Sequence, residues 1–287
     1  MLGSALCKVY CRNNSVYALH RDKECFGVCT KDYSFDLSDS TKLKSCLDQI
    51  KPDLVIHCAG LINLELCEQH PQLAYDANVN VSENIAKWCS SQAAKLVYIS
   101  TDQVYGGSKD HSETNTNLQP LNQYGETKLQ GELKVQELSA DSIIVRTNIF
   151  GWNIKPTRFS SVEWICNSLE NEEEVTLFTD YTFSPIYTKE LANIIMKLVN
   201  LDFSGIINIG SPKTCTKYEF GMQLEETFGF DQSLIRKGTI KDHKFKALRS
   251  NDLSLPIEKI DGLALYIPDF QSSIKSFYND RHEHLAS

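Results

Sequence analysis

Residues 96–107 read LVYISTDQVYGG, and after a polar loop residues 122–132 read NQYGETKLQGE. The run at 96–100 is apolar and rich in β-forming residues, so it predicts a buried strand. Thr101 and Asp102 follow it at the carboxyl end, where open α/β sheets place their ligands. The second segment lacks proline and is rich in Glu, Lys, Leu and Gln, which predicts a helix.

Tyr124 and Lys128 lie four residues apart in the predicted helix, so their side chains share one helix face. We expect this face to point towards the strand end that carries Thr101. An ammonium beside a phenol favours the phenolate, which would lower the pKa of Tyr124 from its usual value near ~10. The three residues therefore predict a site at which Thr101 hydrogen-bonds a substrate oxygen and Tyr124 protonates it. The alternative is an ordinary helical Tyr–Lys pair.

The motifs STDQVYGG and PLNQYGETKLQGE resemble those of the extended short-chain dehydrogenase/reductases. Within that family they are most similar to the dTDP-4-dehydrorhamnose reductase branch, which reduces nucleotide-linked 4-keto sugars with a nicotinamide cofactor. The resemblance extends over nearly the whole chain. It implies that Thr101, Tyr124 and Lys128 are catalytic and that Lys128 also holds the nicotinamide ribose. It also implies that Thr101 and Asp102 contact the substrate.

Composition limits the classes of function. The chain has 287 residues, of which 41% are hydrophobic and 23% charged, enough for a large α/β unit. The net charge is −8 and no basic cluster stands out, which argues against a nucleic-acid partner. No apolar run approaches the ~18–20 residues that span a bilayer, and no signal-peptide pattern is present. We therefore expect a cytoplasmic protein without a membrane partner.

The ten cysteines show no CxxC and no Cys/His metal spacing. Cys7 and Cys11, like Cys25 and Cys29, are spaced i, i+4 with no histidine nearby. We expect reduced, partly buried thiols and no metal site.

The order of apolar runs predicts a Rossmann-type, doubly wound parallel sheet with a smaller C-terminal substrate lobe. The runs at 53–58 and 142–147 are nearly continuous, as is typical of buried parallel strands. The dinucleotide-binding domain is predicted to comprise residues 1–150 and 184–205, and the substrate lobe residues 151–183 and 206–287.

The N-terminus departs from this pattern. Residues 1–10 predict a helix with no strand before it, whereas a dinucleotide fold needs a strand and a glycine-rich loop there. The resemblance aligns Met1-Leu2-Gly3 with the end of that loop, so Gly3 is a cofactor-binding candidate and the first strand is missing. About six buried side chains would be lost, on the order of 10 kcal/mol. We expect a start-site error or a truncation, low stability and weak dinucleotide binding; a genuine start without a cofactor loop is the alternative.

Further cofactor candidates follow the next predicted strand, residues 15–20. An arginine at its end, here Arg21, accommodates a 2′-phosphate, whereas an acid such as Asp22 would bind a ribose 2′-hydroxyl. NADPH is therefore favoured, and NADH stays open. The resemblance places Asp36 and Leu37 against the adenine; Asp36 could instead cap a turn.

The turn after the predicted strand at 53–58 also matches the family. Cys58, Ala59 and Gly60 are small residues that let the backbone approach a cofactor, although the family more usually has Asn or Ala where His and Cys stand here. We interpret His57 as a packing residue and not as a base. Asn78 matches a family asparagine whose amide supports the active site; an exposed helix position is the alternative.

Two charged residues complete the candidates. Arg249 opens a segment similar to the family's Arg-Pro stretch, although Ser250 replaces the proline, and a guanidinium suits diphosphate oxygens. A surface ion pair is the alternative for Arg249. Glu113 stands where the family often has a glutamate near the site.

These observations predict NAD(P)H-dependent reduction of a nucleotide-linked 4-keto sugar, in the chemistry of dTDP-rhamnose and polysaccharide biosynthesis. The nucleotide sugar is the expected partner, and a homodimer is a further expectation. Two alternatives stay open. One is a nucleotide-sugar epimerase or dehydratase, which the lack of a second acid/base pair disfavours. The other is a non-catalytic regulatory subunit resembling the β subunit of methionine adenosyltransferase.

Overall fold

The computed structural model describes residues 1–21, 29–153 and 159–281. The strands are β1 (Tyr17–His20), β2 (Lys31–Ser34), β3 (Leu54–His57), β4 (Lys95–Ile99), β5 (Ile143–Phe150), β6 (Val175–Phe178), β7 (Thr182–Phe183), β8 (Pro185–Tyr187), β9 (Gly205–Ile209), β10 (Cys215–Thr216), β11 (Ile235–Gly238) and β12 (Asp252–Leu253). The helices are α1 (Leu2–Tyr10), α2 (Ser40–Ile50), α3 (Leu64–Gln69), α4 (Pro71–Tyr75), α5 (Val81–Gln92), α6 (Gln123–Leu138), α7 (Ser161–Glu170), α8 (Thr188–Asn200), α9 (Lys217–Phe228), α10 (Glu258–Asp261) and α11 (Phe270–Asn279).

The central sheet is parallel, which confirms the predicted α/β class. β3, β4 and β5 lie side by side, β9 pairs with the first part of β5, and β8 pairs with its last part. Parallel neighbours need crossover connections, which α3 to α5 and then α6 provide. The carboxyl ends of β3 and β4 therefore meet at one edge of the sheet, followed by Cys58 and Thr101 respectively.

Helices cover both faces of this sheet, because side chains alternate along each strand. Val97 and Val145 face a cluster formed with α1 and α8. Leu96, Tyr98 and Ile144 face the opposite cluster, formed with α2 and α5. Burial on both faces explains why these strands read as continuous apolar runs.

The strands β1 and β2 form a parallel pair and, within the described residues, join no other strand. The predicted strand at 15–20 is present as β1. The run YSFDL at 33–37 also predicts a short strand. The observed β2 begins and ends earlier, so Asp36 and Leu37 lie in the connection that leads to α2.

The C-terminal lobe has an aromatic core. Phe150 packs edge-on against Phe220 at 5.1 Å between ring centroids and against Phe277 at 5.7 Å. Around this core, β6 pairs with β11, and β7 lies between β10 and β12. The two-lobe division stays a prediction with one correction. Residues 205–209 form β9 of the central sheet, although the sequence boundary placed residues from 206 onward in the substrate lobe.

Two further findings concern the described residues alone. None of their helices is both long and apolar enough to cross a bilayer. Their cysteines are free thiols, and their His, Cys, Asp and Glu side chains form no metal-binding cluster. Cys25 and Asp22 lie outside the described residues.

Candidate active site

The start of α6 fixes the position of the predicted proton donor. Asn122 caps this helix by accepting a hydrogen bond from the Gly125 backbone N–H at 2.9 Å. Tyr124 therefore lies in the first turn and Lys128 one turn later, and both side chains are buried. A side chain at Gly125 would approach the Gln103 carbonyl oxygen to 2.6 Å, so glycine allows α6 to pack against the turn after β4.

Thr101 and Tyr124 come together as the sequence predicted. The Thr101 hydroxyl acts on the pKa of the Tyr124 phenol, and it donates to a carboxylate oxygen of Asp102 at 3.0 Å. All three side chains are buried at the end of β4. A phenol, a hydroxyl and a carboxyl are therefore grouped at the end of this strand.

The electrostatic relation between Tyr124 and Lys128 differs from the prediction. Burial raises the pKa of Tyr124, and the nearby Thr101 hydroxyl offsets this rise only in part. Lys128 does not lower that pKa as the sequence predicted, since its ammonium donates to the Ile99 carbonyl at 2.7 Å and lies 4.0 Å above the Tyr98 ring. Burial lowers the pKa of Lys128 to about 7. Tyr124 thus keeps its proton at neutral pH.

Asp102 is the most buried of these groups, at 1% exposure. Burial raises its pKa to about 6, while hydrogen bonds from Asn148 and Thr101 and the charge of Lys217 oppose that rise. A carboxyl with this pKa changes charge close to neutral pH, beside the two hydroxyls.

The turn after β3 lies next to Lys128. Burial raises the pKa of the Cys58 thiol to about 12, and the charge of Lys128 opposes that rise. His57 is buried, contacts the Ser82 hydroxyl at 3.1 Å, and has its pKa lowered to about 3 by burial and by the charge of Lys128. It is therefore neutral, which agrees with its interpretation as a packing residue.

Asn78 holds this turn against α6. Its side chain accepts a hydrogen bond from the Leu61 N–H at 2.7 Å and donates to the Leu61 carbonyl at 3.1 Å. It also donates to the Thr127 hydroxyl at 3.0 Å. A side chain on Gly60 would meet the Asn78 amide oxygen at 2.8 Å. Asn78 lies in the π-helical turn Asp76–Asn80, a conformation frequent at functional sites.

The other cofactor candidates lie on two parts of the fold. Gly3 is in the first turn of α1, where a side chain would meet nothing within 4 Å. Cys58 packs against the core cluster that includes Leu2 and Leu6 of α1, so this helix lies near the β3 turn.

At the end of β1, the charge of exposed Arg21 helps lower the pKa of Asp36, although hydrogen bonds from Ser38 contribute most. Leu37 packs against the core shared by α2 and α5. Asp36 and Ser38 thus form a polar turn beside Arg21. The structure describes no contact between this group and Tyr124.

Arg249 faces the site from the C-terminal lobe. One guanidinium nitrogen donates to Glu65 of α3 at 2.9 Å, and the group lies 4.7 Å from the Phe245 ring. The other terminal nitrogen is buried and has no hydrogen-bond partner among the described residues. Its charge also acts on Tyr181. Arg249 therefore forms an ion pair, which was the alternative to a diphosphate contact, and it still has one guanidinium nitrogen free to donate.

Glu113 lies in the polar loop between β4 and α6. It accepts a hydrogen bond from the backbone N–H of Asn208 on β9 at 3.0 Å, which ties the polar loop to the sheet. The pair that supports α6 is Glu132 and Arg146, with 2.6 Å between charged atoms and both side chains nearly inaccessible. The sequence analysis missed this pair, although Glu132 lies four residues after Lys128 on the same helix face.

Three other residues near Asp102 were also missed. The Asn148 amide donates to the Asp102 carboxylate. Burial raises the pKa of Tyr181, and the charge of Asp102 adds to that rise. Lys217 acts on Asp102 through its charge. Asn148 lies in the last part of β5 and Tyr181 directly before β7, and no pattern in the sequence identified their contacts.

Comparison with known proteins agrees with this arrangement. Residues 1–282 match the family model described as RmlD substrate binding domain. The dTDP-4-dehydrorhamnose reductase of Escherichia coli is 26% identical over 89% of this chain and 88% of its own length. The methionine adenosyltransferase 2 subunit beta of Xenopus laevis is 27% identical over 70% of this chain, but over only 62% of its own length.

Solved structures extend the comparison. The dTDP-4-dehydrorhamnose reductase of Bacillus anthracis in complex with NADP superposes with a TM-score of 0.82 and is 22% identical. That superposition covers 92% of this chain and 98% of the other, which shows a shared fold. Since the family model covers nearly the whole sequence, the chain belongs to the RmlD substrate binding domain family, the sugar-nucleotide reductase family of dTDP-4-dehydrorhamnose reductase.

Proposed function

We propose that this chain reduces the carbonyl group of a nucleotide-linked 4-keto sugar, using NADPH or NADH. The observation that carries the proposal is the grouping of the buried Thr101 and Tyr124 side chains at the end of β4, with Lys128 one helical turn after Tyr124 and bonded to the Ile99 carbonyl of the same strand. A hydroxyl and a protonated phenol at the ligand-binding edge of a parallel sheet suit a carbonyl oxygen that gains a proton.

Each residue then has a stated role. The nicotinamide, when bound, supplies a hydride to the carbonyl carbon. Thr101 donates a hydrogen bond to the carbonyl oxygen, and Tyr124 gives that oxygen its proton. The raised pKa of Tyr124 suits a proton donor, because the group enters the reaction protonated. Lys128 donates to the nicotinamide ribose with the N–H bonds that Ile99 leaves unused.

The cofactor candidates fit a dinucleotide that extends from the β3 turn to the end of β1. The turn of Cys58, Ala59 and Gly60 lies beside Lys128, and α1 presents its N-terminus, with open space at Gly3, near the same turn. At the far end, Arg21 is exposed next to Asp36, with Leu37 alongside. An exposed arginine there favours the 2′-phosphate of NADPH over NADH.

Arg249 is the proposed contact for the substrate's diphosphate. Its unpaired buried nitrogen is a donor without an acceptor, and such a group gains most from a charged oxygen. Glu65 keeps the guanidinium oriented by taking the opposite nitrogen.

The Tyr124→Phe variant tests the central role. We expect kcat for NADPH oxidation with dTDP-4-dehydrorhamnose to fall at least ~10²-fold, the scale of a lost general acid, while NADPH affinity is retained. The matched control is Tyr278→Phe, which removes the hydroxyl of an exposed tyrosine on α11. Turnover by Tyr124→Phe equal to that of the wild type would reject the proposal.

A second candidate is a regulatory subunit that binds a partner protein and catalyses nothing. The similarity to the methionine adenosyltransferase 2 subunit beta favours it. The intact arrangement of Thr101, Tyr124 and Lys128 favours the reductase. The two differ in one readout, since a regulatory subunit would co-purify with a partner and leave NADPH unoxidised with every keto sugar. A homodimer and a cytoplasmic location stay predictions.

A further inference from the structure

Lys217 is a half-buried residue of the C-terminal lobe to which the proposed reaction assigns no role. It begins α9, directly after Thr216, whose side chain caps the helix together with Glu219. Its ammonium lies 3.6 Å from the centroid of the Phe183 ring and 5.1 Å from that of Tyr181. The capped helix start and the two rings hold the ammonium in place.

This ammonium has no hydrogen-bond or ion-pair acceptor among the residues that the structure describes. Burial lowers the pKa of Lys217 to about 8, while the charge of Asp102 acts in the opposite direction. The same interaction lowers the pKa of Asp102. The fold also places the two groups on neighbouring strands, since Asn148, which donates to Asp102, pairs with Pro185 of β8, two residues after the Phe183 ring that Lys217 covers. A half-buried ammonium without a protein acceptor can donate to a ligand oxygen in place of water.

A ligand group bound between Asp102 and Lys217 would meet an acceptor on one side and a donor on the other. On one side, Asp102 presents carboxylate oxygens that accept from Thr101 and Asn148 and retain further lone pairs. On the other side, Lys217 presents only donors. A hydroxyl group can donate to a carboxylate and accept from an ammonium at the same time, whereas a methyl group can do neither.

We propose that Lys217 is a substrate-binding residue that, opposite Asp102, holds a hydroxyl group of the sugar ring close to the reacting carbonyl. The inference rests on the proposed function for the identity of the substrate. It specifies the substrate class as a nucleotide-linked hexose that keeps a free hydroxyl at this position. Because Asp102 directly follows Thr101, a hydroxyl held here is near the oxygen that Thr101 contacts.

The kinetic test compares Lys217→Met with Lys217→Gln and a matched control. We expect Lys217→Met to raise KM for the keto sugar nucleotide about 10- to 100-fold, the scale of a lost charged hydrogen bond, with a smaller change in kcat. Lys217→Gln keeps a donor and should recover part of the loss. Lys237→Met is the control, since Lys237 also lies over a ring of this lobe, at 5.0 Å from Tyr218, but is exposed.

A binding measurement separates this inference from the proposed function. Calorimetry compares dTDP-glucose and UDP-glucose, each with its free nucleoside diphosphate. We expect Lys217→Met to lower the affinity for the sugar-bearing ligand and to leave the affinity for the free diphosphate unchanged. This result would support the inference even if the wild type oxidised no NADPH, an outcome that would reject only the proposed reduction. Equal affinity of wild type and variant for the sugar-bearing ligand, or no binding of either ligand by the wild type, would overturn the inference.

Discussion

Asp102 is a buried carboxyl whose charge costs the folded state free energy. Its pKa is raised from 3.8 to about 6, so the folded state holds the proton more tightly than the unfolded chain does. The protonated form therefore stabilises the fold fully below the unfolded pKa, and this stabilisation is lost as the pH rises through about 6. Such a loss of stability is common at residues that contact polar ligands.

The Asp102→Asn variant should lack this pH dependence. Relative to the wild type, its free energy of unfolding should rise by roughly 2 kcal/mol between about pH 4.5 and about pH 7.5, because only the wild type loses a proton there. Urea unfolding at both pH values measures this difference. The exposed Asp53→Asn controls for the substitution itself, and an Asp102→Asn offset that is the same at both pH values would show that the carboxyl is not perturbed.

For single residues, the sequence predicted which side chains lie together better than it predicted their protonation states. The spacing of Tyr124 and Lys128 and their position near Thr101 follow from helix geometry, and all three are close together in the structure. The prediction that the pKa of Tyr124 is lowered was wrong, because spacing in the sequence does not indicate how deeply a phenol is buried. Lys217 was missed because it meets Asp102 only through packing of the C-terminal lobe.

The π-helical turn Asp76–Asn80 and the turn after β3 depend on each other. Asn78 supplies partners for both backbone groups of Leu61, and its amide oxygen occupies the space that a side chain on Gly60 would need. This explains why a small residue precedes Leu61 and why Asn78 is buried, although helical periodicity alone allowed an exposed position.

A double-mutant cycle tests this coupling. Asn78→Ala should cost about 1–3 kcal/mol of unfolding free energy, since buried groups lose their partners. Gly60→Ala should cost about 1–3 kcal/mol through the close contact with the Asn78 amide. In the double mutant that contact is gone, so the combined cost should be at least ~0.5 kcal/mol below the sum. Strict additivity would disprove the coupling. Gly3→Ala, where a side chain meets nothing, serves as the control.

The strand predicted at 96–100 is present as β4, within one residue at each end, and the helix predicted from residues 122–132 is present as α6, which continues to Leu138. The short strands β7, β10 and β12 were not predicted, because two-residue pairings in the C-terminal lobe arise from tertiary contacts. β2 was misplaced towards the C-terminus because its residues are only partly buried and give no clear alternation.

Across the whole molecule, the site lies where the two predicted lobes meet. Glu65 of α3 accepts from the Lys246 N–H and from Arg249, and the Asn122 side chain donates to the Leu248 carbonyl. The helix cap that positions Tyr124 is therefore bonded to the segment that carries Arg249. The buried strands were enough to predict the α/β class from the sequence. The residues that join these segments are more than a hundred positions apart, so no local pattern indicated their contacts.

The reaction itself distinguishes the three functions considered. A reductase transfers hydride from the cofactor to the sugar and consumes the cofactor. An epimerase returns the hydride to the sugar, and a regulatory subunit leaves the sugar unchanged. The central claim is that this chain gives the substrate both a cofactor hydride and a proton from Tyr124.

The most direct measurement supplies NADPH with deuterium at the transferable position of the nicotinamide, together with dTDP-4-dehydrorhamnose, and follows the product by NMR. We expect deuterium on the sugar carbon that carried the carbonyl, equal amounts of NADP⁺ and reduced sugar, and loss of both in Tyr124→Phe. A product without deuterium, a sugar isomer formed without net NADPH consumption, or an unchanged keto sugar would contradict the central claim.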